Sequence, residues 1–486
     1  MAYKDLREWI DRLDIEGDLQ KIDVEVDWNL ELGAIIRRSY DLKEKAPFFQ
    51  KIKDYPEGYR ILGAPAGTSK NPNYQFTRIA TSFDMKKDAK AQEIIEEYLK
   101  RKKYPKKPVI VKDGVCKENI HLGKDVDLNK LPAPLLHEGD GGRYIGTWHL
   151  QITKDPEKNW VNWGMYRLMV HGKDSMGGII DPAKHIGEMY FQKYKPKNLP
   201  MECAVAIGTE PVSPIIACTF LPSGVNEVDI AGGIRNEPVE LVKCETVDLF
   251  VPSSSEIVIE GEVLPDLTKP EGPFGEYTGY RAGVTSPKPV FKVKAITHRN
   301  NPILTVSCMG VPVDDCAAVM SITMAAEILE ELRNKRLPVK MVFCPPEAVT
   351  HMAVVSTKVP YPNFPKKIAH SIWGSTAGMY LYWIVVVEDD VDVTKMEEVL
   401  HTITTRCHPY NGVSKIKDAP AAAFLLPFLP PEERLKGKGA YILFDCTWPL
   451  DWPENAIPKK ASFDILWPEE IQHKVLKNWG KYGYKV

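Results

Sequence analysis

Two carboxylates stand five residues apart in Glu271-Gly272-Pro273-Phe274-Gly275-Glu276-Tyr277-Thr278-Gly279-Tyr280, on a backbone that cannot be an ordinary helix. Pro273 removes an amide donor and fixes φ, while Gly272 and Gly275 permit turns and close approach. Both acids are therefore expected on a shaped loop, the usual place for catalytic groups on a rigid scaffold. Paired carboxylates in different surroundings can divide acid and base roles between them. Read alone, the decamer is also compatible with a Gly/Pro turn bearing two solvated acids.

Upstream, Asn162-Trp163-Gly164-Met165-Tyr166-Arg167 carries a second set of candidates. Strand alternation puts Trp163, Met165 and Arg167 on one face and Asn162, Gly164 and Tyr166 on the other, which aims a guanidinium into apolar surroundings. Such a group calls for an anion, either a protein glutamate or a substrate acid. An edge-strand arginine reaching back to water is the alternative.

Taken in order along the chain, these segments resemble the UbiD family of reversible aromatic and α,β-unsaturated acid decarboxylases, which use prenylated FMN. The resemblance runs over nearly the whole length. It is carried by the Asn162–Arg167 segment, His185, Glu227 in Leu221-Pro222-Ser223-Gly224-Val225-Asn226-Glu227, the stretch from Ser255 to Glu262, and the loop from Glu271 to Tyr280.

The family's reaction implies a covalent adduct between substrate and flavin, loss of CO₂, and protonation of the carbon left behind. By motif position Glu276 is the expected proton donor, and Glu271 the partner of Arg167. Asn162, His185 and Glu227 match the family's Mn²⁺ or Mg²⁺ site, although His185 by itself could be a surface or cap histidine. Backbone carbonyls at Trp163, Ile216, Ala217 and Thr219, with Glu227, match its K⁺ site. Thr147, Met165, Tyr166 and Arg167 fall where the family contacts flavin, with Lys184 and His185 beside them. Lys358 is a further candidate phosphate contact, or a solvated lysine at a strand end.

The chain departs from some members. Lys184 stands where cinnamic-acid-type enzymes carry glutamine, so a cation borders the substrate or flavin. The second acid is glutamate where the quinone-biosynthesis enzyme has aspartate. The Phe444–Pro453 tail differs from both and is similar to that of anaerobic carboxylases of unactivated aromatic rings. Leu304, Val306, Met309 and Trp448 are candidate walls for a flat ring. The expected substrate is an aromatic acid, with CO₂ as co-product or co-substrate. A hydroxybenzoate or unsaturated acid, a non-catalytic flavin-binding role, or service as one subunit of a hetero-oligomeric carboxylase are the alternatives. The cofactor implies a flavin prenyltransferase as its source.

Composition sets the outer limits. At 486 residues the chain exceeds what one core usually supports. With 63 basic against 65 acidic residues there is no general attraction to nucleic acid or membrane. The longest apolar runs, such as Tyr380–Val387, are too short to span a bilayer. Residues 1–12 carry charges throughout, so no signal peptide is visible and a cytoplasmic protein is expected. Nine cysteines form no CxxC pair, which argues against a zinc cluster or a disulfide framework.

The elements that must position these residues read as α+β and α/β. Helices are expected over 5–13, 27–40 and 86–103. Strand signals then dominate from 109 to 298, over 109–111, 144–152, 162–170, 203–207, 215–220, 256–262 and 290–298. Residues 314–333 read as one long helix. Beyond it, strands at 339–344, 353–358 and 380–388 alternate with helices at 366–375 and 394–407. The expected units are 1–112, an N-terminal part of the cofactor domain; 113–312, a β-rich split barrel like FMN reductases; 313–336, a linker helix; and 337–486, a C-terminal α/β oligomerisation domain. Its Trp-rich tail after Phe428 reads as an arm packing on a neighbour. A homodimer or homohexamer follows from the resemblance.

Overall fold

The computed structural model describes residues 3–71, 75–282, 284–420, 426–434 and 436–484. A nine-stranded antiparallel sheet dominates the middle of the chain, in the order 144–146, 168–170, 175–177, 286–298, 257–271, 201–207, 149–154, 161–164, with 119–122 also pairing on 286–298. The two ends of this path are parts of one long hairpin. Tyr144–Gly146 runs on into His149–Lys154 after two residues, and Val161–Gly164 runs on into Leu168–Val170 after three. Three residues span only about 10 Å. The two ends of the sheet are thus tied together covalently, and the sheet must curl into a half-barrel.

That curl corrects the expectation of unbroken strands over 144–152 and 162–170. Both break at the same level, and Met165, Tyr166 and Arg167 leave the ladder there. The expected strand at 215–220 is also corrected, because Val212–Ala217 is a helix. Glu210 accepts from the amides of Val212 (2.8 Å) and Ser213 (3.0 Å). Pro214 falls in the first turn, where no amide partner is missed, so the cap overrides the β-branched Ile215-Ile216 pair. The helix expected from 27 begins only at Glu31, since Asp27 accepts from Asn29 N at 2.8 Å in a preceding turn.

A smaller sheet of 19–26, 46–52, 60–63 and 303–306 packs the N-terminal segment onto the half-barrel. Asp315–Asn334 forms the long helix expected, with Asp314 accepting from Ala317 N at 2.9 Å as its N-cap. It is buried on nearly every face, between helix Ala91–Lys102 and the C-terminal sheet. That sheet runs 339–343, 352–357, 383–388, 438–446, 413–420. Strand Lys438–Cys446 is therefore an inner strand, which corrects the reading of everything after Phe428 as an arm. Only the residues beyond it lie outside the sheet, and helix Glu469–Lys477 buries none of its side chains.

Candidate active site

Strand Ile257–Glu271 ends where its pairing ends, at Glu271 opposite Ser286. Gly272 then takes φ +80, a conformation that suits glycine, and the chain turns back. Phe274-Gly275 pairs with Arg281-Ala282, and Glu276 N donates to Tyr280 O at 3.1 Å to close the tip. One acid therefore sits at a strand end and the other in a hairpin turn, folded towards the same point.

That point is Arg167. Its Nε and Nη2 donate to the two oxygens of Glu271, each at 2.9 Å, and its Nη1 donates to Glu276 Oε1. The sequence reading paired Arg167 with Glu271 and left Glu276 free; the structure has one guanidinium serving both. All three side chains are at most 8% exposed. Burial alone would weaken the arginine's charge, but Glu276 and Glu271 more than offset this and hold it above its ordinary value. Tyr144, read only as strand, donates its hydroxyl to Glu271 Oε1 at 2.8 Å. Phe274 lies under the guanidinium, 5.2 Å from ring centre to Cζ. Alternation could not have found Tyr144, because the contact crosses the break in the hairpin.

Arg167 and Glu276 open onto a cavity of about 200 Å³ between the half-barrel, the first turns of helix Asp315–Asn334 and the C-terminal unit. Met165, Tyr166, Lys184, His185, Ala217 and Thr219 line it, as do Tyr277, Met309, Phe220 and Tyr380. Lys184 holds its ammonium over the rings of Phe220 (4.0 Å) and Tyr380 (4.2 Å). Burial pushes its pKa down to about 8. Of the four suggested wall residues only Met309 lines this cavity. Leu304 and Val306 are buried in the N-terminal sheet, and Trp448 packs against Arg406 and Trp452.

Asn162, His185 and Glu227 come together beside the cavity. Asn162 Oδ1 lies 3.1 Å from His185 Nδ1, which is 3.5 Å from Glu227 Oε1. Glu227 also accepts from Trp163 N at 2.9 Å, and burial raises its pKa. Asn162 Nδ2 is buried without a partner. No group of three His, Cys, Asp or Glu side chains among the described residues could hold a metal. One imidazole, one carboxylate and one amide oxygen nevertheless make a mixed N/O donor set that fits a divalent ion. Trp163, Ile216, Ala217 and Thr219 lie at the adjoining strand end and helix end. Thr147 is buried and accepts from Ser307 N at 3.1 Å. Lys358 is exposed just after strand Met352–Thr357, outside the cavity lining.

Three family profiles match the chain: the 3-octaprenyl-4-hydroxybenzoate carboxy-lyase N-terminal domain over residues 10–98, the Rift-related domain over 107–312 and the C-terminal domain over 317–446. Pyrrole-2-carboxylic acid decarboxylase of Pseudomonas aeruginosa is 34% identical, over 99% of this chain and 98% of that protein. The closed form of vanillic acid decarboxylase from Sedimentibacter hydroxybenzoicus is 30% identical with a TM-score of 0.86, covering 98% of this chain and 99% of the other. An evolved dimeric form of the UbiD-class enzyme HmfF from Pelotomaculum thermopropionicum, solved in complex with prFMN, is 29% identical with a TM-score of 0.77, covering 94% and 97%.

Proposed function

The chain belongs to the UbiD family of carboxy-lyases, and from that premise we propose that it exchanges a carboxyl group for a proton, reversibly, on an aromatic acid, with Glu276 as the proton donor. One observation carries this reading. Arg167 grips a buried glutamate and a second glutamate together, and only the second opens onto the cavity.

Loss of CO₂ from an sp² carbon leaves an electron pair that no side chain lining the cavity can accept. Prenylated FMN, when bound, supplies that electron sink. Asn162, His185 and Glu227 would hold Mn²⁺ or Mg²⁺ through one amide oxygen, one imidazole and one carboxylate, and that ion would offset phosphate charge. Carbonyls of Trp163, Ile216, Ala217 and Thr219, with Glu227, would hold K⁺. Thr147, Met165, Tyr166, Lys184 and His185 are the proposed flavin contacts; Lys358 is the weakest member of that set, being exposed.

The protein's part is positioning and one proton. Glu276 in its acid form passes its proton to the carbon that has lost CO₂ and is then recharged from solvent. In the carboxylating direction it takes the ring proton as CO₂ enters, since a catalyst lowers one barrier for both directions. Glu271, held by two bonds from Arg167 and one from Tyr144, stays a fixed anion that keeps the guanidinium in place. Phe220, Tyr277 and Tyr380 give the cavity flat apolar walls, which favours a ring over an aliphatic chain. Both decarboxylase relatives described above are named for aromatic acids. Residues 337–486 are the proposed oligomerisation unit of a homodimer or homohexamer, and a flavin prenyltransferase the proposed cofactor source.

The test is the mass and absorbance spectrum of the small molecule released from purified protein, followed by exchange of labelled CO₂ into a panel of acids. Exchange is expected with monocyclic or bicyclic aromatic acids, a polycyclic acid such as 2-naphthoate ahead of hydroxybenzoates. Exchange with aliphatic unsaturated acids alone, in protein verified to hold mature cofactor, overturns the aromatic assignment.

A further inference from the structure

Outside the Arg167 cluster, residues 137–141 cradle the hairpin that carries Glu276, in contacts the proposed chemistry does not use. Asp140 has no exposed side-chain surface, and its carboxylate receives three N–H groups. Oδ1 accepts from Gly275 N at 3.0 Å, and Oδ2 accepts from His137 N at 3.2 Å and from His137 Nδ1 at 2.9 Å. On its far side the imidazole puts Nε2 2.8 Å from the carbonyl of Met309 and 3.3 Å from Cys308 Sγ. The Met309 carbonyl can only accept, so Nε2 carries hydrogen, and Nδ1 carries one as donor to the ionised Asp140, which makes His137 an imidazolium.

The fit on the hairpin is close. A side chain at Gly275 would place its Cβ 2.6 Å from the His137 ring, and one at Gly141 would lie 2.2 Å from Gly272 O. Gly141 N donates to Pro273 O at 2.8 Å, and Phe274 packs edge-on against the imidazole, 5.9 Å between centres. The segment gripped from the other side, 308–310, is pinned in turn by Arg37 Nη1 to Cys308 O (3.4 Å) and by Gly310 N to the helix cap Asp314 (3.3 Å).

We propose that the His137–Asp140 pair is a positioning device for the proton donor, a charged clamp that locks the Glu276 hairpin to the Met309 wall of the cavity. It touches neither substrate nor cofactor, and it rests on the reading of Glu276 given above. The other ionisable groups near the ring support the charged state or leave it unopposed. Cys308 Sγ lies 3.3 Å from Nε2, Glu138 is exposed on the same turn, and Arg281 reaches the Glu138 carbonyl at 3.3 Å. Burial works against a charged ring here, but Asp140 and Cys308 more than offset it and raise the pKa of His137 to about 10.

Carbon–carbon cleavage with return of CO₂ needs no proton from Glu276, whereas net product formation does. A loosened hairpin should therefore separate the two. The experiment compares His137→Gln, Asp140→Asn and Glu276→Gln in holoenzyme, measuring net decarboxylation of an accepted aromatic acid, exchange of labelled CO₂ into it, flavin content and melting temperature. In the two clamp variants net turnover is expected to fall about 10- to 100-fold, the cost of a misplacement near 1 Å, with exchange and flavin content within about threefold of the parent. Asp140→Asn keeps the acceptor for Gly275 N but removes the charge, so it tests the clamp even where His137→Gln folds poorly. If both rates fall together, or neither changes, while Glu276→Gln separates them, the clamp is refuted and the donor stands. If Glu276→Gln separates nothing, the donor assignment falls and the clamp's purpose with it.

Discussion

Arg167 and Glu271 meet as a fork on a fork, each of two guanidinium nitrogens 2.9 Å from its own carboxylate oxygen, with neither side chain more than 7% exposed. A bidentate pair fixes orientation as well as distance. The third guanidinium nitrogen is thereby aimed at Glu276, so the pair positions the cation that the second acid feels. Tyr144 completes the arrangement from across the sheet.

Removing the arginine should cost stability as well as activity. Arg167→Ala leaves Glu271 charged, buried and without its cation, a loss on the order of 3–5 kcal/mol. Tyr144→Phe deletes one hydrogen bond to a charged group and should cost about 1.5–3 kcal/mol. Denaturant unfolding of the two variants checks the order, and equal destabilisation would contradict the central role of the arginine.

Glu276→Gln keeps size and hydrogen bonding but has no proton to give. Net decarboxylation should drop on the order of 10²- to 10⁴-fold, with flavin still bound. Steady-state rates in protein of verified cofactor content decide this, and parental turnover would remove Glu276 from the donor role.

His185→Ala and Glu227→Ala each delete one donor of the proposed metal set, and with it the offset to phosphate charge. Both should purify with less flavin and less divalent metal than Glu276→Gln does. Elemental analysis and flavin absorbance give the answer; full occupancy in both variants would exclude the metal assignment.

His149 gives a pH prediction that rests on burial rather than on the Arg167 cluster. It is 1% exposed, and burial, offset only in part by the backbone of Tyr166, holds its pKa down to about 3. The unfolded chain, with an ordinary histidine, binds a proton that the folded chain refuses between about pH 6.5 and 3. Stability is thus fully present above pH 6.5 and falls as the pH is lowered through that window, by an amount on the order of 5 kcal/mol. His149→Leu should flatten that slope by close to one proton, as read from unfolding free energy against pH. An unchanged slope would mean that other groups govern acid unfolding.

Much of the proposed site was legible in the chain itself. Glu271, Glu276, Arg167, Asn162, His185 and Glu227 are recognisable because their order and neighbours are distinctive, and the long helix after Asp314 because its cap and apolar residues lie close together in sequence. Local signals such as caps, alternation and Gly/Pro turns act over a few residues, so they survive reading in one dimension.

What tertiary structure alone decided is where the local rules stop. Alternation predicted continuous strands through 147 and 166, but a sheet tied end to end by one hairpin must curl, and the break this forces is what frees Arg167 to meet both acids. Val212–Ala217 became a helix because Glu210 caps it, against the preference of two isoleucines. Tyr144 and the outward contacts of His137 and Asp140 carried no sequence signal, since the partners there lie 127, 172 and 135 residues away. Burial makes those contacts obligatory: a carboxylate removed from water must find its donors wherever the fold brings them, at whatever distance along the chain.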